Sequence, residues 1–266
     1  MKRKIEVFLL DLGTLYAKRE SIVCRGCPQD QSRIDLPVMA VLVRHRDGIL
    51  LFDTGCRADA MDGGWPEPMQ QAFPLTRSSE QTLEHQLKLC GVSPSQIDTV
   101  VLSHLHLDHA GNGKLFPHAR LIVPAEDYST ACGLVCEEDP ARRGGYIRQD
   151  MEELPGKVTQ ISRDTQLFPG IRLLWLPGHT PGLLGMEITG QEKTLLFPSD
   201  AVYTADNYGP PPISPRSPYD KSLLLQSIQR IRQMQEQSGA QVIFSHDIGL
   251  WARLPKAPQP LLSDSI

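Results

Sequence analysis

Ser103-His104-Leu105-His106-Leu107-Asp108-His109-Ala110-Gly111 follows directly on the apolar run Thr99-Val100-Val101-Leu102. Only eight histidines occur in the chain, and three of them fall in this short stretch with an aspartate between the last two. Imidazole nitrogens and carboxylate oxygens suit zinc and similar ions, and a short non-helical loop after a strand can present them on two sides. Along an extended segment alternate residues share a face, so His104 and His106 point the same way. Asp108 and His109, being adjacent, can diverge toward a second ion. One loop can therefore serve two metals. By contrast His45, His85 and His118 stand alone and read as ordinary hydrogen-bonded or solvated side chains.

Two metals need more ligands than one loop provides, and three further candidates stand where an apolar strand hands over to a loop. His179 closes Ile171-Arg172-Leu173-Leu174-Trp175-Leu176-Pro177-Gly178-His179-Thr180-Pro181-Gly182, where glycines and prolines set a turn. Asp200 follows Thr194-Leu195-Leu196-Phe197-Pro198-Ser199, and His246 follows Gln241-Val242-Ile243-Phe244-Ser245. Singly each reads as a turn residue; with the first cluster they complete a set. That set gives one ion His104, His106 and His179, gives the other Asp108, His109 and His246, and leaves Asp200 to bridge them.

The order HxHxDH, then a GH[TS]PG turn, then an aspartate and a last histidine resembles the metallo-β-lactamase superfamily of hydrolases over residues 5 to 250. Within it the chain is most similar to the N-acyl homoserine lactonases. The resemblance extends to Asp53-Thr54-Gly55, Asp200-Ala201-Val202-Tyr203-Thr204, Ser245-His246-Asp247 and Gly144-Gly145-Tyr146-Ile147-Arg148. The chain departs from some relatives at Leu107, where they carry Phe, and at Pro198-Ser199, and neither departure removes a ligand.

The resemblance implies a mixed α/β chain folded as a four-layer αββα sandwich. It also implies opening of an acyl homoserine lactone ring by a hydroxide that bridges two divalent ions, since coordination to zinc lowers the pKa of water to about 7. Zinc is the expected metal, although manganese, cobalt or iron accept the same ligands. Tyr203 is expected to stabilise the developing oxyanion, and Asp108 to relay a proton to the leaving alkoxide. Asp53 is expected to orient a ligand histidine. A lactonase resembling 4-pyridoxolactonase shares these motifs. A thioester hydrolase resembling glyoxalase II would use the same metals but carry a helical C-terminal domain, whereas about twenty residues follow His246.

Length and composition narrow the field further. At 266 residues, with no Gly/Ser linker or charge run dividing it, residues 1–266 are expected to form one domain. A net charge of -4, from 27 basic and 31 acidic residues, offers no polybasic footprint for nucleic acid or an anionic membrane. The basic start Met1-Lys2-Arg3-Lys4 leads into an apolar run interrupted at Glu6 and ended by Asp11, too short for a signal peptide. No stretch approaches the roughly eighteen apolar residues that a spanning helix needs. A cytoplasmic protein, monomer or homodimer, taking a small-molecule lactone is the expectation. The six cysteines then read as reduced thiols. Cys24-Arg25-Gly26-Cys27 and Cys132-Gly133-Leu134-Val135-Cys136 have flanks that match neither a zinc ribbon nor a redox motif.

Strand signals recur at 6–10, 38–43, 49–52, 99–102, 121–123, 171–176, 194–197 and 241–244, with helical segments between several of them. A helix with the capping box Ser78-x-x-Gln81 is expected to carry Leu83, Leu87 and Leu89 and to stop at Gly91. Another is expected over 221–237, with Leu224, Ile228 and Ile231 on one face. Residues 57–77, rich in Trp, Met and Pro, read as an active-site flap or dimer contact.

Overall fold

The computed structural model describes residues 4–265. The first sheet takes β1 (Lys4–Lys18), β2 (Arg33–His45), β3 (Gly48–Phe52), the short β4 (Leu75–Thr76), β5 (Thr99–Val101), β6 (Arg120–Pro124) and β7 (Val158–Ile161). The second takes β8 (Thr165–Phe168), β9 (Ile171–Trp175), β10 (Leu184–Thr189), β11 (Thr194–Phe197) and β12 (Gln241–Val242), after which β13 (Leu262–Ser265) returns to the first. The orders are β13-β1-β2-β3-β5-β6-β7, with β4 paired to β1, and β12-β11-β10-β9-β8.

Residue alternation along β1 shows why the sheets stack. Val7 and Leu9 join Val41, Phe52 and Val101 in packing against Leu173, Met186 and Phe197 of the second sheet. Phe8 and Leu10 point the other way, to a cluster that includes Leu83 and Leu87 of the helix Leu83–Leu89 and Ala131 of the helix Ala125–Leu134. On the far side of the second sheet, Leu174 and Leu196 bury Leu224, Ile228 and Ile231 of the helix Lys221–Ser238. Successive strand residues face opposite sides, so both faces of each sheet are apolar and the layers read α, β, β, α. This is the four-layer sandwich implied by the resemblance.

Several expected elements differ in detail. β1 and β2 run well beyond the expected 6–10 and 38–43 because they form one long antiparallel ladder, Ile5 opposite His45 through Lys18 opposite Arg33, with a bulge between Asp11 and Thr14. β7, β8, β10 and β13 carried no clear strand signal. The capping box at Ser78 and Gln81 is present, but it heads a single turn; the helix starts at Leu83 behind Thr82, whose side chain accepts from the His85 N–H. Leu89 lies on the solvent side of that helix, 40% exposed, and does not join Leu83 and Leu87 in the core. The 57–77 segment holds the helix Glu67–Ala72, and its Trp65 is buried. Among the described residues no helix is long and apolar enough to cross a membrane.

What this topology does for function is to align strand ends. β3, β5, β6 and β7 are parallel neighbours, as are β11 and β12, and open sheets with parallel strands place binding sites beyond the carboxyl ends of those strands. Asp53 follows β3, the histidine-rich loop follows β5, Asp200 follows β11, and His246 lies four residues after β12. The loop after β9 brings His179 to the same edge.

Candidate metal centre

Seven side chains from four loops meet at this edge in three overlapping groups: His104, His106 and His179; His104, His109 and Asp200; Asp108, His109 and His246. Within each group the ligand atoms lie within 4.8 Å of one another. His179 Nε2 stands 3.2 Å from His104 Nε2 and 3.0 Å from His106 Nδ1. Asp200 faces both sides. Its Oδ2 is 3.8 Å from His104 Nε2 and 3.6 Å from His179 Nε2, while Oδ1 is 3.4 Å from His109 Nε2 and 3.1 Å from His246 Nε2. Asp108 completes the second group, Oδ1 3.7 Å from His109 Nε2 and Oδ2 3.6 Å from His246 Nε2.

The donor set fits metal ions. Tetrahedral zinc holds nitrogen at about 2.0–2.1 Å, which places neighbouring ligand atoms roughly 3.3 Å apart, close to the separations between the imidazoles. Three imidazole nitrogens crowded at one point cannot all be satisfied by hydrogen bonds among themselves. Among the described residues His109 Nε2 and Asp200 Oδ1 are buried with close neighbours but no well-directed hydrogen bond, and buried polar atoms left so are costly.

Four of the five candidate ligand rings are held from behind by a hydrogen-bonding group, the arrangement that fixes tautomer and orientation at metal sites. His246 Nδ1 donates to the Pro37 carbonyl at 2.9 Å, which leaves Nε2 as the free lone pair. His109 Nδ1 donates to Asp53 Oδ2 at 2.8 Å. His104 Nδ1 lies 3.1 Å from Ser103 Oγ, and that hydroxyl donates to Asp53 Oδ2 at 2.9 Å. His179 Nδ1 meets the Tyr203 hydroxyl at 3.0 Å. His106 is placed by backbone and ring contact: Leu107 N–H donates to the Gly145 carbonyl at 2.9 Å, and the Tyr146 ring lies edge-on at 4.7 Å. The Tyr146 hydroxyl donates to Asp127, whose second oxygen accepts the Leu105 N–H between the two histidines.

Local backbone explains why particular residues stand here. Asp53 adopts φ 63°, in the left-handed region that aspartate tolerates better than most residues. The next residue, Thr54, ties both its N–H and its hydroxyl to the His109 carbonyl, at 2.7 and 2.9 Å. Gly178, just before His179, has φ 129°, and a Cβ there would lie 2.2 Å from Leu224 N. Gly178→Ala is therefore expected to displace the His179 turn from the helix beneath it. Metal titration of that variant should show affinity reduced by about tenfold or more, and unchanged affinity would refute the close approach.

The electrostatics divide the ligands. Burial pushes His104 well below its usual value, His106 to about 4 and His179 to about 3, so these rings stay neutral and keep their lone pairs at neutral pH. Burial also works against charge on His109, but Asp108, Asp200 and Asp53 together outweigh it and raise the ring well above the ordinary value. His246 is raised in the same sense, with Asp200 as its main support. Burial and the charges of Asp200 and Asp108 hold the Tyr203 phenol well above its usual range, so it keeps its proton.

All seven expected ligands are brought together, with Tyr203 and Asp53 beside them. The Pro37 carbonyl, Ser103, Asp127 and Tyr146 were not singled out for these supporting contacts. Pro37 acts through its backbone, which no side-chain pattern reports, and the Asp127 bonds span strand-to-helix and loop connections. A signal existed for Tyr146, in the Gly144-Gly145-Tyr146 segment: a Cβ on Gly145 would lie 2.8 Å from the His106 ring.

The chain belongs to the metallo-beta-lactamase superfamily, whose family model matches residues 33–246. Among the curated proteins it is similar to are N-acyl homoserine lactonases. It is 35% identical over 269 residues to the N-acyl homoserine lactonase AiiB of Agrobacterium fabrum, covering 95% of this chain and 97% of that one. It is 30% identical over 220 residues to AiiA of Bacillus thuringiensis subsp. kurstaki, covering 81% and 83%. A crystal structure of a quorum-quenching N-acyl homoserine lactone lactonase superposes with a TM-score of 0.81 at 25% identity, over 98% of this chain and 99% of that one.

Proposed function

We propose that this chain is a two-metal hydrolase that opens the lactone ring of N-acyl homoserine lactones, with zinc as its resident metal. The observation that carries the reading is Asp200 facing two ligand groups at once, Oδ2 toward His104 and His179 and Oδ1 toward His109 and His246. The activity named for the relatives supports the choice of substrate. His104, His106 and His179 would hold one ion, Asp108, His109 and His246 the other, and Asp200 both. Two dications bound there would supply Lewis acidity, bringing the pKa of a water toward about 7 and polarising the ester carbonyl.

The chain's own groups supply the rest. With His179 Nε2 committed to an ion, its Nδ1–H donates to the Tyr203 oxygen and leaves the phenol proton free for the ester carbonyl oxygen of the substrate. Asp108 lines the cavity beside the ligand cluster. From there its carboxylate takes the proton of the attacking water and passes it to the ring oxygen as the ester C–O bond breaks, giving a hydroxy acid. Leu15, Leu36, Met69 and Phe73 line the same cavity and offer apolar surface to an acyl arm. The six cysteines are free thiols, which supports a reducing, cytoplasmic setting.

Tyr203→Phe is expected to lower turnover by about ten- to a thousandfold while metal content stays the same; equal turnover would remove the phenol from the mechanism. The function itself is tested by titrating acid release from purified, metal-quantified protein supplied with acyl homoserine lactones of short and long chain, with pyridoxolactone and a glutathione thioester alongside. Acid release from the acyl lactones supports the reading. Release only from the heterocycle or the thioester would discard that substrate.

A further inference from the structure

The cavity opening onto the ligand cluster has a volume of about 310 Å³. Apart from the metal-site side chains its lining is mostly apolar or small, with one exception: Arg216 is the only arginine or lysine among the described residues that line it. Its backbone N–H donates to the Ser21 carbonyl at 3.0 Å, which fixes the root of the side chain at the cavity wall.

The contacts of Arg216 leave its guanidinium largely unspent. Its carboxylate neighbour, Glu20, is 3.4 Å away, longer than the roughly 2.7–2.9 Å of a strong charge-assisted bond. The Glu20 oxygens are already engaged, accepting the backbone N–H groups of Arg25, Gly26 and Cys27 at 3.0, 2.8 and 3.0 Å. A guanidinium carries five N–H donors in a fixed fork, and the side chain remains 45% exposed. Glu20 thus positions the group without saturating it, and Arg216 lines a cavity whose walls away from the metal-site side chains and Tyr203 are mostly apolar or small.

We propose that Arg216 is a specificity residue whose guanidinium binds a carbonyl oxygen on the acyl arm of the lactone. The inference rests on the lactonase reading above and adds to it the chemistry of the arm. Every N-acyl homoserine lactone carries an amide carbonyl, and those oxidised at the third acyl carbon carry a second carbonyl. Either oxygen meets the same donors.

The test compares Arg216→Met, which keeps the length and apolar stem but drops the donors, with Arg216→Lys, which keeps a charge. Three lactones are assayed with the metal-loaded enzyme: γ-butyrolactone, which has no arm, an unsubstituted acyl homoserine lactone, and its 3-oxo counterpart. In R216M the ratio of kcat/KM for armed over armless lactone is expected to fall about ten- to thirtyfold, and R216K is expected to recover part of it. A fall for both armed substrates assigns the amide oxygen; a fall for the 3-oxo substrate alone assigns the second carbonyl. Equal losses on all three lactones are what a purely structural Arg216–Glu20 contact would produce, and these, or no loss at all, overturn the proposal. If the parent enzyme opens none of the three, the lactonase reading fails and takes this inference with it. Calorimetric binding of the ring-opened N-acyl homoserine to R216M and parent gives a second readout, with weaker binding expected for the variant.

Discussion

Asp200→Asn is expected to reduce lactone opening by at least about a thousandfold and to leave the protein short of its full metal complement. The reason lies in the two faces of one carboxylate. Oδ1 lies 3.1 Å from His246 Nε2, and Oδ2 lies 3.6 Å from His179 Nε2, so each ligand group draws on a different oxygen. An amide replaces one of those oxygens with a nitrogen that has two hydrogens and no usable lone pair. One ion then loses a ligand and meets an N–H dipole pointing the wrong way, and the site loses a negative charge at its centre. Burial would by itself raise this carboxyl, yet His246 and His109 hold it well below the usual carboxylate range, which shows how strongly its surroundings favour the charged form. Removing a group that merely supports a ligand costs about 10–100-fold in affinity or activity; a ligand shared by both ions should cost more. Metal analysis together with kcat/KM on an acyl lactone checks the prediction. Two bound metals with parental turnover would remove Asp200 from its bridging place.

The ligands were legible in the sequence because each stands next to a short apolar strand, and a histidine or aspartate at a strand end needs no long-range information to be noticed. Their support was far less legible. Asp53 is the exception, expected to orient a histidine and joined to His109 across 56 positions; the Pro37 carbonyl joins His246 across 209, and nothing in the local pattern of Pro37 announces such a bond. Strand β10 was missed for a different reason. Gly185 interrupts its apolar run, yet a Cβ there would lie 2.6 Å from Leu176 and 2.9 Å from the Phe197 carbonyl, so this glycine marks close packing between strands and not a break. β7 and β8 lie at sheet edges, where half-buried residues alternate weakly. Leu89 is apolar but stands two residues after Leu87, a step that on a helix turns it away from the face of Leu83 and Leu87 and toward solvent. Pattern thus located the chemistry, while lengths and edges awaited the three-dimensional packing.

Stripping the metals with a chelator is expected to lower the melting temperature by about 8–16 °C, with full recovery on adding zinc. A ligand that binds only the folded chain stabilises it by about 4 kcal/mol at a thousandfold excess over its Kd, and each kcal/mol moves the midpoint of a chain near this size by about 2–4 °C. The geometry makes the metal-free state costly in its own right. His104, His109, Asp200 and His246 are all buried, and without an ion the nitrogens of His104, His106 and His179 face one another. The gap between metal-loaded and metal-free protein should also widen as pH rises. Asp108, Asp200 and Asp53 outweigh burial to raise His109, and Asp200 leads in raising His246. In the metal-free chain these protonated rings therefore contribute stability that is full below the unfolded value of about 6.5. That contribution is lost as pH climbs through the raised folded values. A metal ion takes the place of those protons, so the loaded protein is spared this loss. Thermal melts with and without chelator between pH 6 and 9 measure the gap directly. A gap that is absent, or that narrows with rising pH, would mean that these side chains do not share an ion.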